Sequence, residues 1–595
     1  MARRVLVLEG NLVERDALAC AISAKYDTWD MARNPKKKDM GEVRNYVFAT
    51  DTTTTSNSKL PWKNKTTRPK LCQIRDNLHA NYMAALFPND DWFQWEPGDE
   101  DAASIGKARA ITLYIRNKLK QARFEETVSR FVLDYIDCGN VFGDVEYVAE
   151  RIPLADGTFV SGYTGPRAVR ISPYDIVFDP TCRTFEQAPK ITRTLMTFGD
   201  IEKQRRINPS WQTVPDAVIA KIKDNRKQVS GFSQADIQKS EGLVADGFGT
   251  ISQYYSSGLV EVLEFEGDLF LEHTGELLES RVVTVVDRSY VIRDESIPTW
   301  TGTSTKQHAG WRLRPDNLWA MGPLDNLVGM QYRIDHLENL KADVFDLIAY
   351  PVIKVKGYVE DFEYKPLSRI YMDVDADVDF MRPDTLALNA DLQIQELEQQ
   401  MEDMAGAPRQ AMGVRTPGEK TKFEVQTLEN AAGRTFQNKI TFFEKNFIEP
   451  LLNVMLESAR RNMDSAEAIK YVDPDLGVTS FLEITKDDIM AKGRLVPIGA
   501  RHFAAQAQLV QNLANLSATP LYQDPAVMVH FSGIKMARLL EENLGFERAQ
   551  LVEPNIRIVE QADTQRLMQT AQDQTAAEAV TPPLTEEDIP VDETE

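Results

Sequence analysis

The stretch that decides the fold is GWRLRPDNLWAMGPLDNLVGMQYRIDHLENLKADVFDLI, residues 310–348. Pro323 and Asp325 stand where a helix begins, and apolar residues then recur at intervals of three and four. Because Pro351 cannot continue a helix, the sequence predicts one long amphipathic helix over 323–349. Its apolar stripe consists of Leu324, Leu327, Val328, Ile334, Leu337, Leu340, Val344 and Leu347.

Further elements follow this helix along the chain. A small strand-rich insert is predicted over 351–386 and begins with VIKVKG. A second helix is predicted over 388–404, and a loop with two prolines and three glycines occupies 405–421. The next helix, over 422–462, is unusually long, and Pro450 predicts a kink in it.

The residues on either side of this block complete a chain of the α+β class. Residues 1–320 begin with helical spacing and then change to the two-residue period of strands, which predicts one α+β region. A strand returns within 463–500, and helices are predicted over 501–560. The end of the chain, 561–595, is predicted to be a disordered tail. After Arg566 it has eight acidic residues and no basic one.

Composition narrows the class of protein. The 595 residues carry 68 basic and 90 acidic side chains, for a formal net charge of −22. This charge argues against a protein that coats nucleic acid with its whole surface, because phosphates would be repelled. The cysteines form no CxxC pair, which excludes a disulfide scaffold and a zinc ribbon. With no signal peptide and no apolar run of membrane-spanning length, the sequence predicts a soluble intracellular protein.

One loop comes close to a phosphate-binding motif. In GVRTPGEKT, residues 413–421, Glu419 separates Gly418 from Lys420, whereas a Walker loop needs the lysine directly after the glycine. The intervening carboxylate would repel phosphate, and a helix rather than a strand precedes the loop. The sequence also lacks GxSxG, HExxH and closely spaced histidine pairs, so we expect no catalytic residue, no cofactor and no metal ligand.

The β insert carries an acidic alternation. Its members are Asp373, Asp375, Asp377 and Asp379. If 373–379 forms a strand, the carboxylates share one face and repel one another, so that face must meet water, a cation or a partner. A solvated face is the first interpretation, and a partner-binding surface and a metal site are the alternatives. A calcium loop is not matched, because Val378 and Asp384 replace the required glycine and glutamate.

A basic stretch near the N-terminus has two interpretations. It contains Lys63, Lys65, Arg68, Lys70 and Arg75. Such a cluster can contact nucleic acid, although only Trp62 lies nearby to stack on a base. The other interpretation, which we prefer, is a solvated face or a contact between subunits.

The order of the elements carries the strongest functional signal. Two long helices that flank a small β insert project it away from the body, and an isolated helix pair cannot bury its apolar stripes. Copies of the same chain in a closed ring would supply the missing neighbours. The residues predicted to pack between subunits are Leu324, Leu327, Ile334, Leu337, Leu340 and Val344.

Four stretches share their order and character with one known family. They are PYDIVFDP (173–180), LVEVLEFEGD (259–268), the stretch 310–348 quoted above, and FEVQTLENAAGRTFQNKITFFEKNFIEPLLNVML (423–456). Together they resemble the portal proteins of tailed bacteriophages, most closely those of short-tailed phages. The resemblance covers about 140 to 550 and leaves out the N-terminus and the acidic tail.

The resemblance implies a multi-domain fold that assembles into a ring. Portal proteins form rings of about twelve subunits around a central DNA channel, at one vertex of the capsid. Each subunit has a wing, a helical stem, a small β-containing clip and a helical crown. In this chain the resemblance assigns 1–320 to the wing, 323–349 and 388–404 to the stem, 351–386 to the clip, 405–421 to a tunnel loop, 422–462 to the tunnel helix, 463–500 to a return to the wing and 501–560 to the crown.

The resemblance also implies a function and partners. It predicts a non-catalytic virion component, assembled in the host cytoplasm, that conducts double-stranded DNA during packaging and ejection. Its expected partners are the DNA, terminase, a tail adaptor or head-completion protein, and the major capsid or scaffolding protein. We expect transient phosphate contacts from Arg409, Arg415 and Lys420, with pairing to a neighbouring subunit's acidic residues as the alternative. A terminase-like motor or nuclease and another virion structural protein are the alternative functions.

Overall fold

The computed structural model describes most of the chain before residue 500. Helices and strands both build it, so the fold class is α+β. In this part of the chain no helix is long and apolar enough to cross a membrane. The described residues are 4–8, 15–48, 66–89, 92–98, 102–153, 159–207, 209–212, 214–228, 240–244, 246–250, 259–360, 369–381, 388–405, 436–463, 466–472 and 479–499.

The helices are numbered here in chain order. The last long one, α11, spans 436–462 and includes a π-helical turn at Glu444–Ile448 and the regular helix Glu449–Asn462. The others are α1 Arg15–Ala32, α2 Asn34–Phe48, α3 Lys70–Leu86, α4 Ala102–Gln121, α5 Phe124–Asp137, α6 Phe198–Ile207, α7 Pro209–Gln212, α8 Asp216–Gln228, α9 Val328–Ala349, α10 Ala390–Ala405 and α12 Lys486–Ile489.

The strands form one large sheet, one three-stranded sheet and several pairs. They are β1 Val5–Leu8, β2 Phe93–Pro97, β3 Asn140–Pro153, β4 Phe159–Ile171, β5 Ile176–Phe178, β6 Lys190–Met196, β7 Val260–Leu271, β8 Glu276–Val286, β9 Tyr290–Ser296, β10 Gln307–Gly310, β11 Arg312–Arg314, β12 Asn317–Met321, β13 Val352–Lys356, β14 Asp377–Met381, β15 Glu467–Val472, β16 Thr479–Ile484 and β17 Gly493–Pro497. The large sheet has the order β5-β6-β7-β8-β9, and β1 runs parallel beside the end of β7. The second has the order β10-β3-β4, and the pairs are β2–β17, β11–β12, β13–β14 and β15–β16.

Helices cover the large sheet on both faces. Because successive side chains of a strand point to opposite faces, Leu263 and Phe265 of β7 pack in one cluster with residues of α1. Val260 and Val262, on the other face, pack in a second cluster that includes Ile201 of α6. Strand β7 is therefore a central strand that is buried on both sides over most of its length, although its sequence VEVLEFEGDLFL contains four acidic residues.

The main core lies where α3, α5, α9, α10 and α11 meet. Buried aromatic side chains dominate its centre. The rings of Tyr82 and Tyr135 lie 6.0 Å apart, and those of Tyr135 and Phe443 lie 4.8 Å apart. Trp311 contacts both tyrosines, with ring centroids 5.8 and 5.3 Å away. The end of the 310–348 stretch that precedes α9 is thus anchored in the core.

Helix α9 begins at Val328, later than the predicted start at 323. Residues 323–327 form a turn instead, in which the Leu327 N–H donates to the Leu324 carbonyl at 2.9 Å. Asp325 stabilises this turn, because its Oδ2 accepts from the Gly322 N–H at 3.1 Å and from Lys36 Nζ at 2.8 Å. The proline and aspartate that suggested a helix start therefore belong to the turn before it.

Helix α11 changes its hydrogen-bond pattern just before Pro450. In the π-helical turn the Glu449 N–H donates to the Glu444 carbonyl, five residues back. Pro450 has no N–H and cannot continue the regular ladder at this point. The wider turn lies where the sequence predicts a kink. The break in the regular hydrogen-bond pattern of the helix is therefore close to the proline.

Two glycines meet at the root of α9. Gly139 follows α5 with φ +70°, a left-handed conformation that favours glycine. A Cβ added there would lie 2.2 Å from the backbone nitrogen of Gly322, in the turn that leads to α9. The Trp311 N–H donates to the Gly139 carbonyl at 2.9 Å. This close approach holds the end of α5 against the start of the 323–327 turn.

We predict that Gly139→Ala destabilises the protein by more than about 3 kcal/mol, because the methyl group meets backbone atoms that cannot move aside. Chemical denaturation checks this. Gly41→Ala is the matched control, since nothing lies within 4 Å of a Cβ at this α2 position. The control should stabilise the protein by about 0.5–1 kcal/mol. Equal unfolding midpoints for the two variants would contradict the prediction.

Candidate functional site: the helix–hairpin unit

The helix–hairpin unit consists of α9, the β13–β14 hairpin and α10. Helices α9 and α10 pack on each other, and Lys341 Nζ lies 2.7 Å from Asp391 Oδ1 across them. Buried Ile394, Met401 and Ala405 give α10 an inner face at helical spacing. The unit therefore has its own helical base, and the hairpin continues from the far end of α9.

The structure places most of the predicted inter-subunit stripe inside its own chain. Leu324, Leu327, Ile334, Leu337 and Val344 belong to the buried side chains. Leu340 is 38% exposed. The other exposed apolar side chains of the helix pair are Phe345, Leu347, Ile348, Leu392 and Met404. The exposed apolar surface of the helix pair therefore consists of these five residues and Leu340. Of the six residues predicted to pack between subunits, Leu340 is the exposed one.

The hairpin has one charged and one apolar face. Its register places Lys354 opposite Asp379 and Lys356 opposite Asp377. Directly opposed residues share a face, so these four charges lie on the same side. Ile353, Val355, Val378 and Phe380 occupy the other side. Every residue of β13 is exposed, so neither face of this strand is covered by the described part of the chain.

The predicted acidic residues separate into two pairs. Asp377 and Asp379 lie on β14 and are exposed. Asp373 and Asp375 come before the strand, and a turn at 374–375 interrupts the extended chain that we expected over 373–379. The Ala376 N–H donates to the Asp373 carbonyl at 3.0 Å and closes this turn. The turn therefore breaks the alternation, so the strand carries only Asp377 and Asp379 of the four.

Exposed aromatic and apolar side chains surround the turn. Tyr358 is 73% exposed, Tyr371 63% and Met372 48%. Val374, at the turn itself, is fully exposed. Tyrosine and methionine are enriched at protein interfaces, where they supply large contact area. Asp373 and Asp375 flank this apolar group, so the distal end of the hairpin combines an apolar patch with negative charge.

Three buried polar residues on α9 hold an extended segment of the N-terminal region. Gln331, Asp335 and Asn339 are spaced by four residues and share one face of the helix. The Thr66 N–H donates to Asn339 Oδ1 at 2.7 Å, and the Arg68 N–H donates to Asp335 Oδ1 at 2.9 Å. Gln331 Nε2 donates to the Arg68 carbonyl at 2.5 Å. The predictions from the sequence do not include this polar ladder, although the four-residue spacing of its members is a usable signal.

The basic stretch forms ion pairs within its own chain. Arg68 Nε lies 3.1 Å from Glu398 Oε1, and the buried Lys70 Nζ lies 2.6 Å from Glu402 Oε1. Both glutamates belong to α10. Arg75 pairs with Asp137 at 2.7 Å. These three cations support intramolecular contacts, while Lys63 and Lys65 lie outside the described residues.

Asp335 is a buried carboxylate with an incomplete set of partners. Its Oδ1 accepts from the Arg68 N–H and from Gln331 Nε2, both at 2.9 Å, while its Oδ2 has no hydrogen-bond partner. Burial raises the pKa of this carboxyl group from 3.8 to about 6, and the two hydrogen bonds oppose that rise. At neutral pH the Asp335 carboxyl group is charged in surroundings that favour its neutral form, and this charge reduces the stability of the folded protein.

A cleft of about 520 Å³ lies at the root of the unit, between the α1–α2 corner and β12. Two of its basic side chains are engaged: Arg33 Nη2 lies 2.9 Å from Asp30 Oδ1, and Lys36 Nζ lies 2.8 Å from Asp325 Oδ2. Trp319 forms part of the wall, with the Arg33 guanidinium 5.8 Å from its ring centroid. These contacts join the α1–α2 corner to the start of α9.

Other predicted residues fall outside the part of the chain that the structure describes. They are Arg409, Arg415 and Lys420 of the predicted tunnel loop. Within the described ranges no group of three or more His, Cys, Asp or Glu side chains is arranged to hold a metal ion. The exposed surface of the helix–hairpin unit is the candidate site.

We predict that Asp335→Asn flattens the dependence of stability on pH. The folded protein holds this proton up to about pH 6, whereas the unfolded chain loses it near pH 4, so the wild type loses stability as the pH rises between these values. The asparagine keeps an acceptor for the Arg68 N–H and carries no charge. We expect it to gain about 1–3 kcal/mol over the wild type at pH 7–8 relative to pH 4.

Urea unfolding at a series of pH values checks this. Asp391→Asn on α10 is the control, because that carboxylate is exposed on the surface. Parallel pH profiles for the wild type and Asp335→Asn would show that the residue does not titrate differently in the folded state.

Comparison with known proteins adds no relative. No model of a protein family matches the chain. No curated protein matches it either. The functional assignment therefore depends on the order of the elements in the sequence and on the geometry of the helix–hairpin unit.

Proposed function

We propose that this chain is a portal protein of a tailed bacteriophage. In this proposal copies of the chain form a ring at one capsid vertex, around a channel that conducts double-stranded DNA during packaging and ejection. The ring is a passive conduit and a docking platform. Terminase binds it during packaging, the tail adaptor replaces terminase afterwards, and the capsid or scaffolding protein surrounds it.

The observation that carries this proposal is the uncovered surface of the helix–hairpin unit. A two-stranded hairpin is marginally stable in water unless other structure covers it. Here β13 is exposed along its length, and Phe345 and Ile348 are 51% and 44% exposed at the adjoining end of α9. Neighbouring copies in a ring would cover these side chains, and a closed ring gives every copy the same two neighbours.

The polar ladder supports the same proposal. A conduit has to keep its shape while DNA moves through it under load. The segment 66–71 bonds to α9 through its backbone and pairs with α10 through Arg68 and Lys70. One segment fastens both helices to the α3 side of the core. In the proposed ring, a load on the hairpin would pass through these contacts to the body of the subunit.

The charge of the chain is compatible with DNA passage. Phosphate contacts release counterions and give affinity, so a strongly basic lumen would hold the DNA in place. A chain with a net charge of −22 avoids this, and a few basic residues on a loop can still guide the DNA. The distal end of the hairpin, with its apolar patch and Asp373 and Asp375, is the proposed contact for terminase and adaptor.

We predict that the purified protein forms closed rings. Twelve copies of the 67.3-kDa chain would weigh about 0.8 MDa and show a central hole in negative-stain images. Native mass spectrometry measures the mass. Phe345→Ser combined with Ile348→Ser should reduce ring formation about tenfold or more and leave the subunit folded, because both side chains are exposed.

The matched control is Val244→Ser combined with Phe248→Ser, two exposed apolar residues outside the helix–hairpin unit. This control should assemble like the wild type. A wild-type protein that stays small and hydrolyses ATP would contradict the proposal and favour a packaging motor instead.

A second prediction concerns the tunnel loop. Replacing Arg409, Arg415 and Lys420 together by glutamine should slow DNA packaging or weaken DNA retention, because the transient phosphate contacts are lost. Packaging assays with nuclease protection of the DNA measure both effects. If packaging and retention are unchanged, the three residues do not contact DNA.

A further inference from the structure

The two edges of the hairpin carry opposite charges on the same face. Strand β13 contributes Lys354 and Lys356 to this face, and β14 contributes Asp377 and Asp379. All four side chains are exposed. One edge of the charged face is therefore a row of cations and the other a row of anions, with the same two-residue spacing along each strand.

The outer edges of β13 and β14 are the places where a further strand could pair with the hairpin. In the described part of the chain, β13 and β14 pair only with each other. An unpaired edge strand presents a row of backbone donors and acceptors to any extended neighbour. The edges of one hairpin can thus accept a strand on each side.

Rotational symmetry gives the correct strand direction. If the ring axis runs roughly along the strands, rotation leaves the direction of every strand unchanged. The neighbour of β14 is then β13 of the next copy, and the two run antiparallel, as they do within one hairpin. Lys354 and Lys356 of one copy then lie beside Asp379 and Asp377 of the next.

We propose that neighbouring copies join edge to edge through these rows, so that lysine and aspartate rows alternate around the assembly. The inference rests on the proposed ring and names the surface that closes it. A heterologous contact of this type needs two different, complementary edges, which this hairpin has. Charge complementarity favours a second copy over an unrelated partner, because the cationic and anionic rows of one hairpin match in number and spacing.

The apolar face of the hairpin fits the same arrangement. Ile353 and Val355 lie opposite Phe380 and Val378 within one copy. Edge-to-edge joining would place Val378 and Phe380 beside Val355 and Ile353 of the next copy, forming a continuous apolar belt. Cross-strand pairs of β-branched and aromatic residues stabilise sheets, so the belt would cover Ile353 and Val355, which are exposed in a single copy.

Mixing two oppositely altered chains tests the proposal. Chain one carries Lys354→Glu and Lys356→Glu, so both of its rows are acidic. Chain two carries Asp377→Lys and Asp379→Lys, so both of its rows are basic. Alone, each chain presents like charges to its neighbour. In an alternating ring every contact between copies is complementary, although both rows within each hairpin carry the same sign.

We expect each chain alone to form at least about tenfold fewer rings than the wild type, and the co-expressed mixture to form rings with the two chains in equal numbers. Native mass spectrometry resolves the composition. A chain with all four substitutions is the control, and it should assemble alone because its rows are complementary again. Circular dichroism checks that every variant remains folded.

Other outcomes would overturn the proposal in distinguishable ways. Wild-type ring yields from both single-type chains would exclude pairing through these rows and leave the proposed function intact. If ring yields stay at the wild-type level but the altered chains bind terminase or the adaptor more weakly, the lysine and aspartate rows contact that partner instead. If the chain with all four substitutions assembles and the mixture does not, assembly depends on opposite charges within each hairpin and not on opposite charges between copies. Absence of rings for the wild type would overturn the proposed function and this pairing together.

Discussion

The structure depends on how α9 satisfies the polar groups on its inner face. Gln331, Asp335 and Asn339 are fully buried, and buried polar groups without partners are strongly destabilising. The backbone of residues 66–71 donates hydrogen bonds to all three side chains and accepts bonds from Gln331 and Asn339, although Asp335 Oδ2 has no partner. Since the same segment leads directly into α3, the position of α9 is tied to a specific part of the N-terminal region. A purely apolar α9 would pack with less specificity along its length.

Two kinds of charge distribution serve different purposes in this molecule. Inside the subunit, Lys70 with Glu402 and Arg193 with Glu261 pair at 2.6 and 2.5 Å in buried surroundings. Removing one partner of such a pair leaves an uncompensated charge, so these contacts specify which elements meet. On the hairpin the charges are exposed and arranged in rows. Exposed charges contribute little energy each, but their arrangement selects partners and register.

Much of the architecture is predictable because local periodicity reflects burial. The stripe of 310–348, the strands around 173–180 and 259–268 and the order of the described elements from α9 to α10 all follow from spacing. The start of α9 was misplaced, because Pro323 and Asp325 act in a turn whose contacts to Gly322 and Lys36 come from elsewhere in the fold. The ladder from α9 to residues 66–71 is a contact between distant segments, and local patterns do not report such contacts. A turn at 374–375 separates Asp373 and Asp375 from Asp377 and Asp379. The alternating sequence pattern gives no sign of this turn.

The π-helical turn in α11 has a geometric consequence for the whole core. Phe443, Phe447, Leu451, Met455 and Ala459 are buried at intervals of four residues. In a regular α-helix each such step rotates the side chain by about 40° around the axis, so a long series winds away from its partners. The wider turn at Glu444–Ile448 accommodates an additional residue and takes up part of this rotation. The π-helical turn contacts β10 and β17, and the regular helix after it contacts β3 and β17, so the apolar seam of α11 faces β17 on both sides of Pro450.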